Sequence, residues 1–202
     1  MIYMFLAPGF EEVEALAPLD LLRRAGLSVT TVAVTTPEIE HAVQGSHGIT
    51  VLADMSSDAF RRAVLSGDHA DTIEALDSIE ALDTIEAVIL PGGMPGTTHL
   101  DESDLVDAAL TLADGQGAYL CAICAAPLVL GKRGYLTGKR ATCFPGFEAA
   151  LTGATVGGKV VRDGRVVTAA GMGVAQEFGL ELISALVSPE KAGEIRAAIQ
   201  SL

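Results

Sequence analysis

The sequence predicts an α/β fold, a mostly parallel sheet with helices on both faces, and three observations carry that expectation. Short apolar runs alternate with helix-like stretches from one end of the chain to the other. Several runs are continuously apolar, as strands covered on both faces require. Half of the residues are hydrophobic, yet aromatics make up 4% and tryptophan is absent, so Val, Leu, Ile and Ala must build the core. That suits a buried sheet under Ala/Leu-rich helices. With 202 residues and no marked linker, residues 1–202 read as one domain.

Residues 2–7 form an apolar run that stops at Pro8-Gly9 and read as the first strand. Residues 11–25 show helical spacing, with Val13, Leu16, Leu19 and Leu22 inward. Acids in the first turn and Arg23-Arg24 in the last suit the helix dipole. Residues 29–34 are β-branched and supply a second strand, and residues 49–52 a short one. Residues 87–90 are a buried strand that ends at Pro91-Gly92-Gly93. A helix over 101–113 follows, then a strand over 118–120 and a helix over 125–130 that Gly131 and Gly134 terminate. Ala141-Thr142-Cys143 reads as a short strand. Asp163-Gly164 between two valine pairs is the strongest hairpin signal. Helices over 175–186 and 190–202 close the order. Residues 71–88 hold a tandem hexad, Asp-Thr-Ile-Glu-Ala-Leu and two near copies. It reads as an acidic insertion near 71–86 forming a solvated helix or loop.

A net charge of -13, from 26 acids against 13 bases, repels phosphate backbones and anionic bilayers. Neither nucleic acid nor a membrane is expected as a partner. Three cysteines are too few, and odd in number, for a disulfide framework. The first apolar run has no basic segment before it and is too short to span a bilayer, so the expected address is cytoplasmic.

The chemistry concentrates at Tyr119-Leu120-Cys121-Ala122-Ile123-Cys124-Ala125-Ala126-Pro127, an apolar strand running into a helix start. A cysteine there feels a helix N-terminus and nearby backbone N–H groups, which lower a thiol pKa. Cys121 reads as a core cysteine. For Cys124, placement alone leaves a reactive thiol and a buried core thiol both open. The two match C-x-x-C spacing, but the first ends a strand, which argues against thioredoxin-like exchange. Gly92 and Gly93 follow a strand, where open α/β folds place ligands, and their N–H groups can face an oxyanion. Gly171-Met172-Gly173 opens another helix near the same edge. Glu11, Glu12 and Glu14 follow the first strand. Two read as solvated first-turn acids, and one turned into the pocket would be desolvated and fit for acid/base work. No histidine pair has metal-ligand spacing, so no metal is expected.

Together these segments resemble the ThiJ/PfpI superfamily, most closely the branch of the parkinsonism-associated protein deglycase and its bacterial homologues. The resemblance runs through Leu6-Ala7-Pro8-Gly9-Phe10-Glu11-Glu12-Val13-Glu14, Asp20-Leu21-Leu22-Arg23-Arg24-Ala25-Gly26 and Val88-Ile89-Leu90-Pro91-Gly92-Gly93. It continues through Ala122-Ile123-Cys124-Ala125-Ala126-Pro127 and Gly171-x-Gly173-x-x-x-x-Phe178. It implies a glutamine-amidotransferase-like single domain, a flavodoxin-like three-layer sandwich, usually a homodimer. Cys124 matches the nucleophile at a strained elbow and Glu14 the glutamate that bonds its sulfur. Gly93 and Ala125 match the oxyanion donors, with Gly92 beside them. Accessory positions are His47, where some relatives have arginine, Phe144, where several have histidine, and Cys143. Ala125 stands where the peptidase branch has histidine, which argues against proteolysis.

The resemblance implies cofactor-free glyoxalase or deglycase chemistry on methylglyoxal-like 2-oxoaldehydes or their adducts. The alternative is an oxidative-stress sensor or redox-regulated chaperone that oxidises Cys124 without turnover. Oxyanion donors beside the sulfur favour the enzyme.

Overall fold

The computed structural model describes residues 1–35, 41–65 and 84–201. Strand β1 (Ile2–Leu6) leads into helix α1 (Glu12–Arg24) and β2 (Val29–Ala33); β3 (Ala42–Gln44) and β4 (Thr50–Leu52) form a hairpin. Helix α2 (Ser57–Phe60) continues as a π-turn over Arg61–Leu65. Then come β5 (Ala87–Leu90), α3 (Gly96–Asp101), α4 (Asp104–Gly115), β6 (Tyr119–Ile123) and α5 (Pro127–Lys132). The last third holds β7 (Arg140–Ala141), β8 (Thr155–Val156), β9 (Val160–Asp163), β10 (Val166–Ala169), α6 (Ala175–Leu186) and α7 (Pro189–Ala198).

Six strands make the main sheet in the order β2-β1-β5-β6-β10-β9. All pairs are parallel except β9 with β10. Side chains alternate across it, because successive Cβ atoms on a strand point to opposite faces. Tyr3 and Phe5 of β1 join a cluster with Leu105, Val106 and Leu110 of α4 and Val129 and Leu130 of α5. Ile2, Met4 and Leu6 join Leu19 and Leu22 of α1, Phe178, Leu182 and Ile183 of α6, and Ile195 of α7 on the opposite face. The sheet is therefore covered on both sides, which explains why its inner strands carry no polar alternation.

Several boundaries depart from expectation for local reasons. The helix expected over 101–113 is two helices, because Ser103 accepts a bond from the Val106 amide and caps a new start. The final helix begins at Pro189 behind a Ser188 cap. Asp163 is the last residue of β9, paired with Val166, so the hairpin loop is Gly164-Arg165, one residue later than expected. The strand expected at 141–143 is β7, which pairs with β8 in a separate two-stranded sheet. Val13 is exposed instead of inward, because the buried stripe of α1 runs through Glu14, Ala15, Pro18 and Leu22. The hexad repeat lies, through residue 83, outside the described residues.

Candidate active site

Parallel strands place their carboxyl ends along one edge, and the segments leaving β1, β5, β6 and β10 meet there. Cys124 sits between β6 and α5 with φ of 64°, a left-handed conformation that costs a non-glycine residue about 1–2 kcal/mol. Two backbone bonds hold it there. The Cys124 amide donates to the Ala169 carbonyl at 2.8 Å, and the Phe144 amide donates to the Cys124 carbonyl at 2.7 Å. The turn places the half-buried thiol at this edge of the sheet.

Glu14 reaches the same place from α1. Glu11 caps that helix by accepting from the Glu14 amide at 2.7 Å, which orients the first turn. The Glu14 carboxylate accepts from the Gly92 amide at 3.1 Å and from the Met172 backbone, and it shares a hydrogen bond with the Cys124 thiol. The backbone N–H groups of Ala125 and Gly93 donate to the sulfur. A Cβ on Gly92 would lie 2.5 Å from Glu14 Oε2 and 2.6 Å from Cys124 Cβ, so only glycine permits this approach. Gly92 therefore serves the glutamate, whereas the sequence put it among the oxyanion donors.

The electrostatics correct the expectation of a lowered thiol pKa. Burial first, then the charge of Glu14 and its hydrogen bond, push Cys124 up to about 12 against the Ala125 and Gly93 amides. Helix α5 has only six residues, and the nearest full charge is a carboxylate, so the dipole loses. Glu14 is in turn pushed up to about 7 by burial and by Glu11, against its bonds to Cys124, Gly92 and Met172. The two groups titrate as one unit. When the proton sits on Glu14, repulsion on the sulfur vanishes and the carboxyl O–H becomes a donor to thiolate.

Two of the three acids are buried, where two were expected to be solvated. Glu12 accepts from the His47 amide at 2.7 Å, His47 Nδ1 at 2.9 Å and Ser46 Oγ at 3.3 Å. Burial alone would raise Glu12, but these bonds and those from the Glu12 and Ile49 amides hold it at about 2. His47 is thus clamped by Glu12, tying the β3–β4 hairpin to α1. Ligand atoms of Glu11, Glu12 and His47 lie within 4.8 Å of one another, a proximity that sequence spacing did not show. The Glu12 oxygens are already taken by this hydrogen-bond network.

Cys121 and Cys143 lie apart from this chemistry. Cys121 packs in the α1/α6 cluster, and complete burial raises its pKa. Cys143 packs in the α4/α5 cluster on the opposite face and is pushed up to about 11 by burial and Glu148. Sequence reasoning missed Thr168, a polar residue in an apolar strand. Its Oγ1 accepts from the Thr142 amide at 2.9 Å, which helps hold the segment that delivers Phe144. Its one signal was a hydroxyl among valines and alanines.

Comparison with known proteins agrees with this architecture. The model of the DJ-1/PfpI family matches residues 1–185. Protein dj-1beta of Drosophila melanogaster is 35% identical over 195 residues, covering 95% of this chain and 92% of that protein. The structure of oxidized Toxoplasma gondii DJ-1 aligns with a TM-score of 0.83 at 30% identity, covering 98% of this chain and 97% of that one. The glutathione-independent glyoxalase DJR-1.2 of Caenorhabditis elegans is 28% identical over 191 residues, 92% of this chain and 87% of that protein.

Proposed function

The chain belongs to the DJ-1/PfpI family, and from that premise we propose that it is a cofactor-free, cysteine-dependent glyoxalase or deglycase acting on methylglyoxal-like 2-oxoaldehydes or their adducts. The observation that carries this reading is the hydrogen-bonded Glu14–Cys124 pair, with the Gly93 and Ala125 amides on the sulfur. A carboxyl poised at about 7 can both give and take a proton near neutrality.

In the proposed cycle the Cys124 sulfur attacks the aldehyde carbon, and the carbonyl oxygen becomes a hemithioacetal hydroxyl with the proton from Glu14. The Glu14 carboxylate then removes the hydrogen from that carbon. The proton is returned to the neighbouring ketone carbon while the hemithioacetal hydroxyl proton passes to the former ketone oxygen, leaving a 2-hydroxyacyl thioester on Cys124. One carbon is oxidised and its neighbour reduced, so no outside redox partner is needed. Water cleaves the thioester to a 2-hydroxyacid and frees the thiol. The Gly93 and Ala125 amides stabilise the oxyanions, a contribution of roughly 100- to 1000-fold for a single donor. The glyoxalase relative in C. elegans supports this reading.

A homodimer belongs to the same proposal, supported by exposed Val13 on α1 and exposed Ile49 and Leu52 on the hairpin that Glu12 ties to it. Among the described residues no helix is long and apolar enough to cross a membrane, and a cytoplasmic address is proposed with the rest. The test is lactate formation from methylglyoxal without glutathione, by wild type and Cys124→Ala. Many turnovers by the wild type and none by the variant support the enzyme. No turnover by freshly reduced wild type, with sulfinate appearing on Cys124, replaces it with the redox sensor.

A further inference from the structure

Phe144 stands where a histidine would supply a base, and its surroundings give it a different use. Its amide is bonded directly to the Cys124 carbonyl, so residue 144 moves with the nucleophile. Its ring lies 3.3 Å from the point where Gly171 would carry a Cβ, and Glu14 Oε1 lies 3.8 Å from the same point. Ring edge and carboxylate therefore flank one small space that the missing Cβ leaves open. Phe144 is also 48% exposed, so part of the residue remains open to contact.

Two more exposed apolar side chains are attached to the same machinery. Met94 follows Gly93, whose amide is on the sulfur, and is 51% exposed. Met172, whose backbone bonds Glu14, is 54% exposed. Single exposed apolar residues need no explanation, but these two adjoin or carry backbone groups that act on the Glu14–Cys124 pair. The charges acting on the pair are carboxylates, Glu11 on Glu14 and Glu14 on Cys124, and they repel an anionic substrate.

Resting on the glyoxalase reading above, we propose that Phe144 is a specificity-determining residue that selects 2-oxoaldehydes bearing an aromatic or bulky apolar group on the ketone carbon. The aldehyde carbon meets Cys124 while the aromatic group packs on the Phe144 ring beside Gly171. Phenylglyoxal is the probe. It follows the same balanced course as methylglyoxal, with hydrogen moving from the aldehyde carbon to the ketone carbon and water releasing mandelate. A ring pair is worth up to about tenfold beyond its buried area, and the added apolar surface contributes a further factor.

The experiment measures kcat/KM for phenylglyoxal and methylglyoxal with wild type, Phe144→Ala and Phe144→Leu, with melting temperatures as the check on folding. Wild type should favour phenylglyoxal by about tenfold or more. Phe144→Ala should lower the phenylglyoxal-to-methylglyoxal ratio by about tenfold, and Phe144→Leu should fall between. An unchanged ratio in both variants, with methylglyoxal still turned over, overturns the role of Phe144 and leaves the glyoxalase reading standing. No turnover of either compound by reduced wild type overturns both.

Discussion

Glu14→Gln isolates the cost of holding a carboxyl beside Cys124. Glu14 is buried, and burial followed by the charge of Glu11 raises its pKa from 4.5 to about 7. Below pH 4.5 the carboxyl is neutral in folded and unfolded chains alike, so it contributes no pH dependence. Between 4.5 and 7 the unfolded chain has released a proton that the folded chain keeps, and stability falls as the pH rises. Above 7 the folded protein holds a charge in a poor environment, and the accumulated loss is about 3 kcal/mol, at ~1.4 kcal/mol for each pH unit between the two values. Glutamine keeps the shape and has no charge to bury. Urea unfolding of both proteins at pH 5 and pH 8 should therefore show the stability difference moving by about 2 kcal/mol in favour of the variant at the higher pH. Glu12, held at about 2, titrates alike in both proteins and cancels. A difference that is the same at both pH values would refute the placement of a proton on Glu14 near neutrality.

Two further tests address the supports of the pair. In Gly92→Ala the new Cβ collides with Glu14 and Cys124, which should cost about 1–3 kcal/mol of stability. A displacement of about 1 Å should lower kcat/KM by roughly 100-fold, and an alanine variant with full activity would dismiss the close-approach argument. His47 titrates above its usual 6.5 because of the hydrogen bond and charge of Glu12. Its stabilisation is complete below 6.5 and disappears as the pH rises through the raised value. An NMR titration should show the His47 midpoint dropping in Glu12→Gln, and an unmoved midpoint would mean the clamp is absent in solution.

Much of the fold was legible because parallel strands covered on both faces must be apolar along their length. Residues 2–6, 87–90 and 119–123 meet that demand with little alternation, so their identity as strands was readable locally. Helix boundaries were readable where a cap was respected and missed where it was not, as at Ser103. Val13 was misplaced because an apolar residue one position off the buried stripe turns about 100° away from the core.

The site divides in the same way. Cys124 at the end of β6 and Glu14 in the first turn of α1 were identifiable as residues, since strand ends and helix starts are local features. The direction of the thiol pKa was not, because it depends on which charge arrives nearest the sulfur. That charge comes with α1, and Gly92 meets it from 78 positions further along the chain. Glu12 was likewise read as a solvated acid until the β3–β4 hairpin folded over it and supplied four donors. Phe144 registered as the loss of a base, and only the tertiary structure brings its ring beside Gly171 and Glu14 Oε1. Periodicity and capping are settled between near neighbours and so belong to the sequence alone. Proton affinity, desolvation and the shape of the pocket depend on what four distant strand ends bring together, and only the tertiary structure decides that.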